Sequence, residues 1–390
     1  LLAPLARRAS RSVPRLLGVR HVHGAPGEAA TALCGIVAST ALMIAMATMV
    51  TSFRGAVDTW LEQILAADLY LRVEGGADMP PEVQAALLRV SGIEGISFTR
   101  QVPLTLEADR PPVTLIARPL SADGTDPALV PVGSPGAVPT GAVPVWVSEP
   151  AARLYGWRPG EEIALPVGVG ARFAVAGVWR DYARQSGALV MRSEDYERLA
   201  GDRNRDEAAV TLQPGAEADA VEAGLLEALP PGLRDATTLA RPAELRRFAL
   251  DLFDRSFLVT YVLEAVAILV GLAGVAATML SQTVARQREF GMLRHLGLEK
   301  GQIGRMLAIE GTLLGLLGGL AGAALGGALS QVLIHVINPQ SFNWTMATIV
   351  PWGTVAAVVA ALALAAGGTA VLAGRRATAP AAVLAVREDW

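Results

Sequence analysis

The sequence predicts an α-helical membrane protein with four transmembrane helices and an α+β extracytoplasmic domain carried on a helical stalk. Three observations predict it. The chain of 390 residues is 52% hydrophobic and only 18% charged, with a mean hydropathy of +0.41, too apolar for an ordinary soluble enzyme. Its apolar residues gather in four long runs, with an insert of about 200 residues, mixed in pattern, between the first and second. The formal charge of −3 is unevenly sorted: the insert holds most of the acids and the short segments outside the runs hold a surplus of Arg. That sorting assigns the insert to the outside and the short segments to the cytoplasm. Lys300 is the sole Lys in a chain rich in Ala, Gly and Pro, a bias of composition with no nucleic-acid-binding reading attached.

Residues 1–28 carry Arg7, Arg8, Arg11, Arg15 and Arg20 in a broken amphipathic pattern, which predicts a segment lying along the inner leaflet. His21 and His23 have no cysteine or further carboxylate nearby and read as solvated surface rather than metal ligands. The first span, 29–52, has no charge from Ala29 to Val50, enough helix to cross a hydrocarbon core of about 30 Å. Cys34 lies within it, so the outer domain has no disulfide, and a small buried residue is the expected role. Helical spacing continues through Phe53, Val57, Trp60, Leu61 and Ile64, a stalk leaving the membrane.

The outer domain occupies 53–255. Alternation begins at Leu69, and short strand-like runs recur near 97–106, 113–117, 143–147, 161–166, 172–178, 188–191 and 208–212. Helical runs fall between them near 81–90, 148–155, 193–200 and 216–229, with Ser148 and Ser193 as expected N-caps. The stretch 121–141, crowded with Pro, Gly, Asp and Ser, reads as a loop. Carboxylates such as Glu161, Glu162, Glu194, Asp195 and Glu197 sit at strand starts and helix N-termini, where they serve dipole and solubility. No GxSxG, HExxH, Cys/His cluster or Walker A run occurs, so neither catalysis nor ATP hydrolysis by this chain is expected, and no cofactor or metal.

From Arg241 to Ala285 a helical pattern runs without an interior Pro, about 65 Å if unbroken. It supplies a second stalk helix and the second span, 256–284, and is expected to act as one rigid lever. Glu264 falls inside that span and Glu310 inside the third; intramembrane acids are functional candidates by default, with a protonated or water-contacting carboxyl near a helix interface as the alternative reading of Glu264. The third span, 307–337, carries Gly311, Gly315, Gly318, Gly319, Gly322 and Gly326, small residues that let helix backbones approach closely, within the subunit or across a dimer. An outer loop, 338–348, carries Phe342 and Trp344, suited to the membrane interface. The fourth span, 349–374, is stopped by Arg375 and Arg376, and 375–390 form a cytoplasmic tail.

Between the second and third spans, 285–306 form a basic hairpin in which Arg286, Arg288, Arg294, Lys300 and Arg305 face only Glu289 and Glu299. Phe290, Leu293, Leu296 and Leu298 leave it an apolar side, and Gly297 and Gly301 let it turn. The run Arg288, Glu289, Gly291, Leu293, Arg294, Gly297, Gln302, Ile303, Glu310 and Gly311 resembles the signature of FtsX-like permeases, the membrane subunits of MacB/LolCDE-type ABC transporters. The resemblance covers nearly the whole chain and is strongest from Phe257 onward. It implies a MacB-like periplasmic core in the insert and a coupling helix that docks on an ABC ATPase subunit through Arg288, Glu289, Phe290, Gly291, Leu293, Arg294, Gly297 and Gln302. It further implies a subunit of the cell membrane, in contact with membrane lipids. ATP hydrolysis by the separate nucleotide-binding subunit would then move the outer domain, in export of a lipoprotein, lipid, drug or peptide with a periplasmic partner. An FtsX-like signalling or scaffold subunit controlling an envelope hydrolase is the alternative. A second permease half or a homodimer completes the expected assembly, the chain reading as the C-terminal half of a longer permease.

Overall fold

The computed structural model describes residues 26–121, 126 and 128–377, with the backbone alone for 26–32 and 376–377. The basic segment before residue 26, part of the expected loop at 121–141 and the tail beyond 377 lie outside the described residues. The chain divides into two compact units. A helical unit takes the chain up to Ser52, Ser256–Ile334 and the chain from Thr348 on; an α/β unit takes Phe53–Arg255 and His335–Ala347.

In chain order, α1 (Pro26–Ile64) leads to β1 (Leu69–Val73), α2 (Pro81–Leu87), β2 (Ile93–Leu104), β3 (Val113–Arg118), β4 (Pro131–Val132) and β5 (Val143–Ser148). Next come α3 (Glu149–Tyr155), β6 (Glu162–Ile163), β7 (Phe173–Trp179), β8 (Ala188–Arg192), α4 (Ser193–Ala200) and β9 (Glu207–Leu212). The α/β unit continues with α5 (Ala218–Ala228), α6 (Pro231–Arg234), β10 (Thr237–Ala240) and α7 (Pro242–Ser256). The strands form one mixed sheet in the order β10-β1-β9-β2-β3-β8-β5-β7-β4, with β6 on β7; β3–β8 and β5–β7 are parallel pairs.

Strand alternation decides what the sheet buries. Leu69, Leu71, Val73, Ala208 and Val210 face one way and pack under Val83 and Leu87 of α2 and Val221 and Leu225 of α5. Farther along the sheet, Leu115 joins Val145, Val147, Phe173, Leu189 and Met191 in a second core with Ala151 of α3 and Tyr196 of α4. β2 links the two cores: Ile93–Thr99 pair with β9 and Arg100–Leu104 with β3. At that changeover Arg100 meets Asp78, Asp202 at 3.1 Å and Asp206 at 3.7 Å. Asp206 also accepts the Gln101 N–H, 3.0 Å from each carboxylate oxygen.

Most strands lie within a few residues of their expected places, while β4, inside the expected loop, and β10 carry no alternation long enough to read. Ser148 caps α3 by accepting the Ala151 N–H at 3.3 Å. Ser193 does not cap α4: Arg192 is the cap residue and the Ser193 hydroxyl is buried without a partner among the described residues. The expected pair of stalk helices is present inside this unit, where α7 lies along the end of α1. Arg246 bridges Asp58 and Glu62, each at 2.7 Å, Arg54 meets Asp254 at 3.2 Å, and the Phe53 and Phe253 rings are 5.1 Å apart.

In the helical unit, α8 (Leu258–Ala285), α9 (Gln287–His295) and α10 (Lys300–Val332) are followed by a π-helical turn at Leu333–Ile337, α11 (Asn338–Phe342) and α12 (Trp352–Ala377). Among the described residues, four helices are long and apolar enough to cross a membrane: Leu33–Ile64, Leu258–Ala285, Lys300–Phe342 and Trp352–Arg375. The single lever expected over Arg241–Ala285 is instead two helices, interrupted at Phe257 (φ −92°, ψ 1°). Neither Pro nor Gly marks the break. The expected interfacial role of the outer loop also changes, because Trp344 is buried in the α/β unit with its ring 4.6 Å from Phe53 and 4.4 Å from Tyr182. Cys34 is exposed on α1 rather than buried.

The glycines of α10 form two stripes. A Cβ at Gly311, Gly315 or Gly319 would strike α12, falling 2.5 Å from the Ala366 carbonyl oxygen, 2.8 Å from the Ala363 Cα and 3.2 Å from a Val359 methyl. At Gly318, Gly322 or Gly326 it would strike α1, within 2.7 Å of Ile36, 2.5 Å of Thr40 and 2.7 Å of the Ala41 carbonyl oxygen. Hydrogen in place of a side chain therefore lets α10 touch two helices backbone to backbone. Gly315→Ala is expected to cost about 1–3 kcal/mol by overpacking, read as earlier thermal unfolding in detergent; unchanged unfolding would show that the helices separate without cost.

Burial pushes the Asp206 carboxyl up to about 6, against the Gln101 N–H and Arg100, which favour the charged form. For an acid raised from 3.8, the folded state holds its proton to higher pH than the unfolded chain. The associated stability is full below the ordinary value and is lost as pH rises to about 6. The difference in unfolding free energy between the wild type and Asp206→Asn should thus fall through that window and be flat above it; a difference that rises with pH contradicts the assignment.

Candidate coupling site

The site is built on the turn from α8 into α9. Arg286, at the end of α8, sends Nη1 to both carboxylate oxygens of Glu310 at 2.9 and 3.0 Å and Nε to Glu289 at 3.0 Å. Its guanidinium lies 5.3 Å from the centre of the Phe290 ring. The Arg286 and Glu310 side chains are only 12% and 9% exposed, so the pair is screened little by water and its partners depend on each other. Burial works to lower the Arg286 pKa, but Glu310 and Glu289 outweigh it and the net direction is up.

α9 is closed at its C-terminal end by main-chain geometry. Gly297, at φ +95°, allows the Leu298 N–H to reach the Leu293 carbonyl at 3.1 Å and the Gly297 N–H to reach that of Arg294 at 3.0 Å, a Schellman turn needing the left-handed conformation glycine adopts without strain. Leu293 and Leu298 pack against the helical core beside it, the apolar contact that accompanies such turns. The Gln302 side chain then accepts the Glu299 N–H at 3.1 Å, capping α10.

These contacts sort the residues singled out from sequence. Phe290, at 1% exposed, is buried among Val275, Met279, Ile303 and Met306, so it anchors α9 and cannot belong to an outward docking face. Leu293, Gly297 and Gln302 are occupied in folding the hairpin, and Gly291 and Arg294 are half-buried. Arg288 and Glu289 are exposed. The exposed apolar residues are Met292 and Leu296, at 63% and 79%, which follow Arg288 at successive intervals of four and so share its helix face. Sequence reasoning gave Met292 no role and set Arg286 among the basic residues of the loop without its partner. Glu310 is present as an acid in an apolar helix, and its pairing with Arg286 across 24 positions is set by the fold.

The FtsX-like permease C-terminal model matches residues 261–380, and the MacB-like periplasmic core domain model matches 29–228, together accounting for both units. The chain belongs to the FtsX-like, MacB-type family of ABC transporter permeases. Permease subunits of this family are not themselves enzymes. An uncharacterized ABC transporter permease protein of Mycobacterium tuberculosis is 27% identical over 366 residues, covering 89% of this chain and 41% of the relative; the chain thus spans less than half of that relative's length. The periplasmic region of MacB from Actinobacillus actinomycetemcomitans is 13% identical, covering 48% of this chain and 95% of that one, with a TM-score of 0.35. The extracellular domain of YknZ, a noncanonic ABC-type transporter from Gram-positive bacteria, is 14% identical over 45% of this chain and 99% of that one, with a TM-score of 0.32.

Within the permease, Glu264 stands apart from the turn between α8 and α9. It lies seven residues before Gly271, on the stripe of α8 that continues through the buried Val275 and Met279, and its half-buried carboxylate has no hydrogen bond or ion pair among the described residues. Glu310 is already paired, so the acids of the two apolar helices stand in different surroundings. Glu310→Leu should leave Arg286 buried without its main partner and cost about 3–5 kcal/mol, whereas the double change with Arg286→Leu recovers most of it. Thermal unfolding of the detergent-solubilised permease measures both; equal losses in the single and double variants would show that the pair contributes nothing.

Proposed function

We propose that this chain couples ATP hydrolysis by a separate nucleotide-binding subunit to motion of its α/β unit outside the membrane, the mechanotransmission mode in which cargo need not pass between the helices. The observation that carries this reading is the division of α9 into two faces. The inner face is held to the helical core by Phe290 and by the Arg286–Glu310 pair, so a force applied to α9 is passed to α8 and α10 rather than lost in a loose loop. The outer face presents Met292 and Leu296 beside exposed Arg288, His295 and Lys300, an apolar strip with a basic margin that fits an apolar groove with an acidic rim. The excess of Arg in the short segments supports a cytoplasmic α9.

Transmission is assigned to α1, unbroken from Pro26 to Ile64, in place of the segment interrupted at Phe257. Rigid helix needs no special path of side-chain contacts to carry a displacement. The output fits export of a lipoprotein, lipid, drug or peptide, with the α/β unit acting on material outside the membrane.

Copurification of the permease with its ATPase tests the docking face. Replacing both Met292 and Leu296 by Glu should lower ATPase retention by about tenfold or more, the effect of losing about 1.4 kcal/mol at the interface, with thermal stability unchanged. Phe290→Ala should behave in the opposite way, unfolding earlier because a buried aromatic is lost. Retention at the wild-type level by the double Glu variant would remove α9 as the docking element.

A further inference from the structure

The helix-covered face of the sheet leaves its other face to be accounted for. Tyr70 and Arg72 of β1, Thr99 and Gln101 of β2, and Glu207 and Ala209 of β9 point away from the two cores and floor a cleft of about 1120 Å³. The paired helices α1 and α7 form its wall through Trp60, Ile64, Leu245 and Phe248, with Leu65 just past the end of α1. We propose that this cleft is a binding site for an uncharged amphiphile, a molecule with an elongated apolar body and a hydroxyl- or ester-bearing end.

Three features select that chemistry. The wall is apolar and unfilled: Phe248 lines the cleft with 70% of its surface exposed, so an apolar body laid against it gains the burial the fold leaves undone. The floor is polar over β1, β2 and β9, with apolar Ile116 of β3 and Val190 of β8 beyond them, and it is electrically quiet. Apart from Glu74, exposed at the margin, its charged side chains are already paired, Arg72 with Glu207 at 3.5 Å, Arg118 with Asp126 at 2.9 Å and Arg184 with Asp181 at 3.1 Å. An ionic ligand would have to give up water for partners that are taken, while hydroxyls and esters find the hydroxyls of Ser97, Thr99 and Thr211. The space is also held open. The Tyr70 hydroxyl accepts the Ala67 N–H at 3.1 Å and donates to the Ile64 carbonyl at 3.3 Å, the Trp60 indole N–H donates to the Arg180 carbonyl at 3.0 Å, and Arg246 ties α7 to α1. A wall fixed to its floor in this way is preformed, and its volume is of the order of sites for drug-sized ligands, about 300–1,000 Å³.

The test uses the full chain in nanodiscs with a photoreactive monoacylglycerol carrying a diazirine in its acyl chain, followed by mass spectrometric mapping. Adducts are expected on residues 60–67 and 245–248. Ala209→Trp, which fills the floor, and Phe248→Glu, which charges an exposed wall position without disturbing a core, should each reduce those adducts by about tenfold. A phosphate-headed analogue of the same chain length should label the cleft at least about fivefold less, because its charge finds no free partner there. Competition by unlabelled monoacylglycerol and by a rigid uncharged polycycle separates a lipid source from another amphiphile, since only an occupant of this cleft suppresses the adducts. Labelling confined to the apolar spans, wild-type labelling in Phe248→Glu, or equal labelling by the charged analogue would each overturn the proposal. None of these readouts depends on an ATPase, so failure here and failure of the coupling reading are distinguishable.

Discussion

The helical unit depends on how closely other helices approach α10. Without side chains at Gly311, Gly315 and Gly319 on one face and Gly318, Gly322 and Gly326 on another, α12 and α1 reach its backbone directly. In lipid, where apolar burial does little to drive helices together, such contact is what dispersion and packing can use. Glu310 immediately precedes the first of these glycines, and its position is therefore fixed by that close packing. Arg286 inherits that precision through a two-toothed ion pair, and α9 inherits it from Arg286 and Phe290.

The α/β unit solves a different problem. Its sheet runs past two separate cores on one face, joined by β2 and by the Arg100 cluster, and leaves part of the other face to the helix pair α1 and α7. Apolar packing alone would draw that pair down onto the strands. Polar and charged residues at Tyr70, Arg72, Gln101 and Glu207 resist this, since covering them would strip away their water, and the hydrogen bonds of Tyr70 and Trp60 set the spacing instead. A cleft with an apolar wall and a satisfied polar floor follows from that balance.

Several readings failed for a common physical reason. Periodicity over Arg241–Ala285 has no interruption, because Phe257 is as compatible with a helix as its neighbours, and the break arises where the chain passes from one unit to the other. Phe290 and Leu293 were grouped with the docking face because an amphipathic helix has one apolar side; α9 has a buried apolar side and a second, exposed apolar strip, which spacing cannot distinguish from the first. Trp344 suits a membrane interface by composition, but Phe53 and Tyr182 supply it with an aromatic enclosure within the α/β unit. Ser193 has the right chemistry for a cap, but α4 begins at Ser193 itself, one residue past the capping position.

The sequence by itself determined the class of protein, its four apolar helices, the strand alternation of the insert and the family to which the chain belongs, because these rest on local periodicity, on length and on motif residues close together in the chain. It also marked the glycine spacing on α10, though not which helix each stripe meets. Only the tertiary structure decided the pairing of Arg286 with Glu310, the inward turn of Phe290 that leaves Met292 and Leu296 outside, and the assembly of the cleft from residues between Trp60 and Phe248. Those depend on contacts between residues far apart in the chain, where the partner of a charge and the cover of an apolar face are set by packing rather than by neighbours.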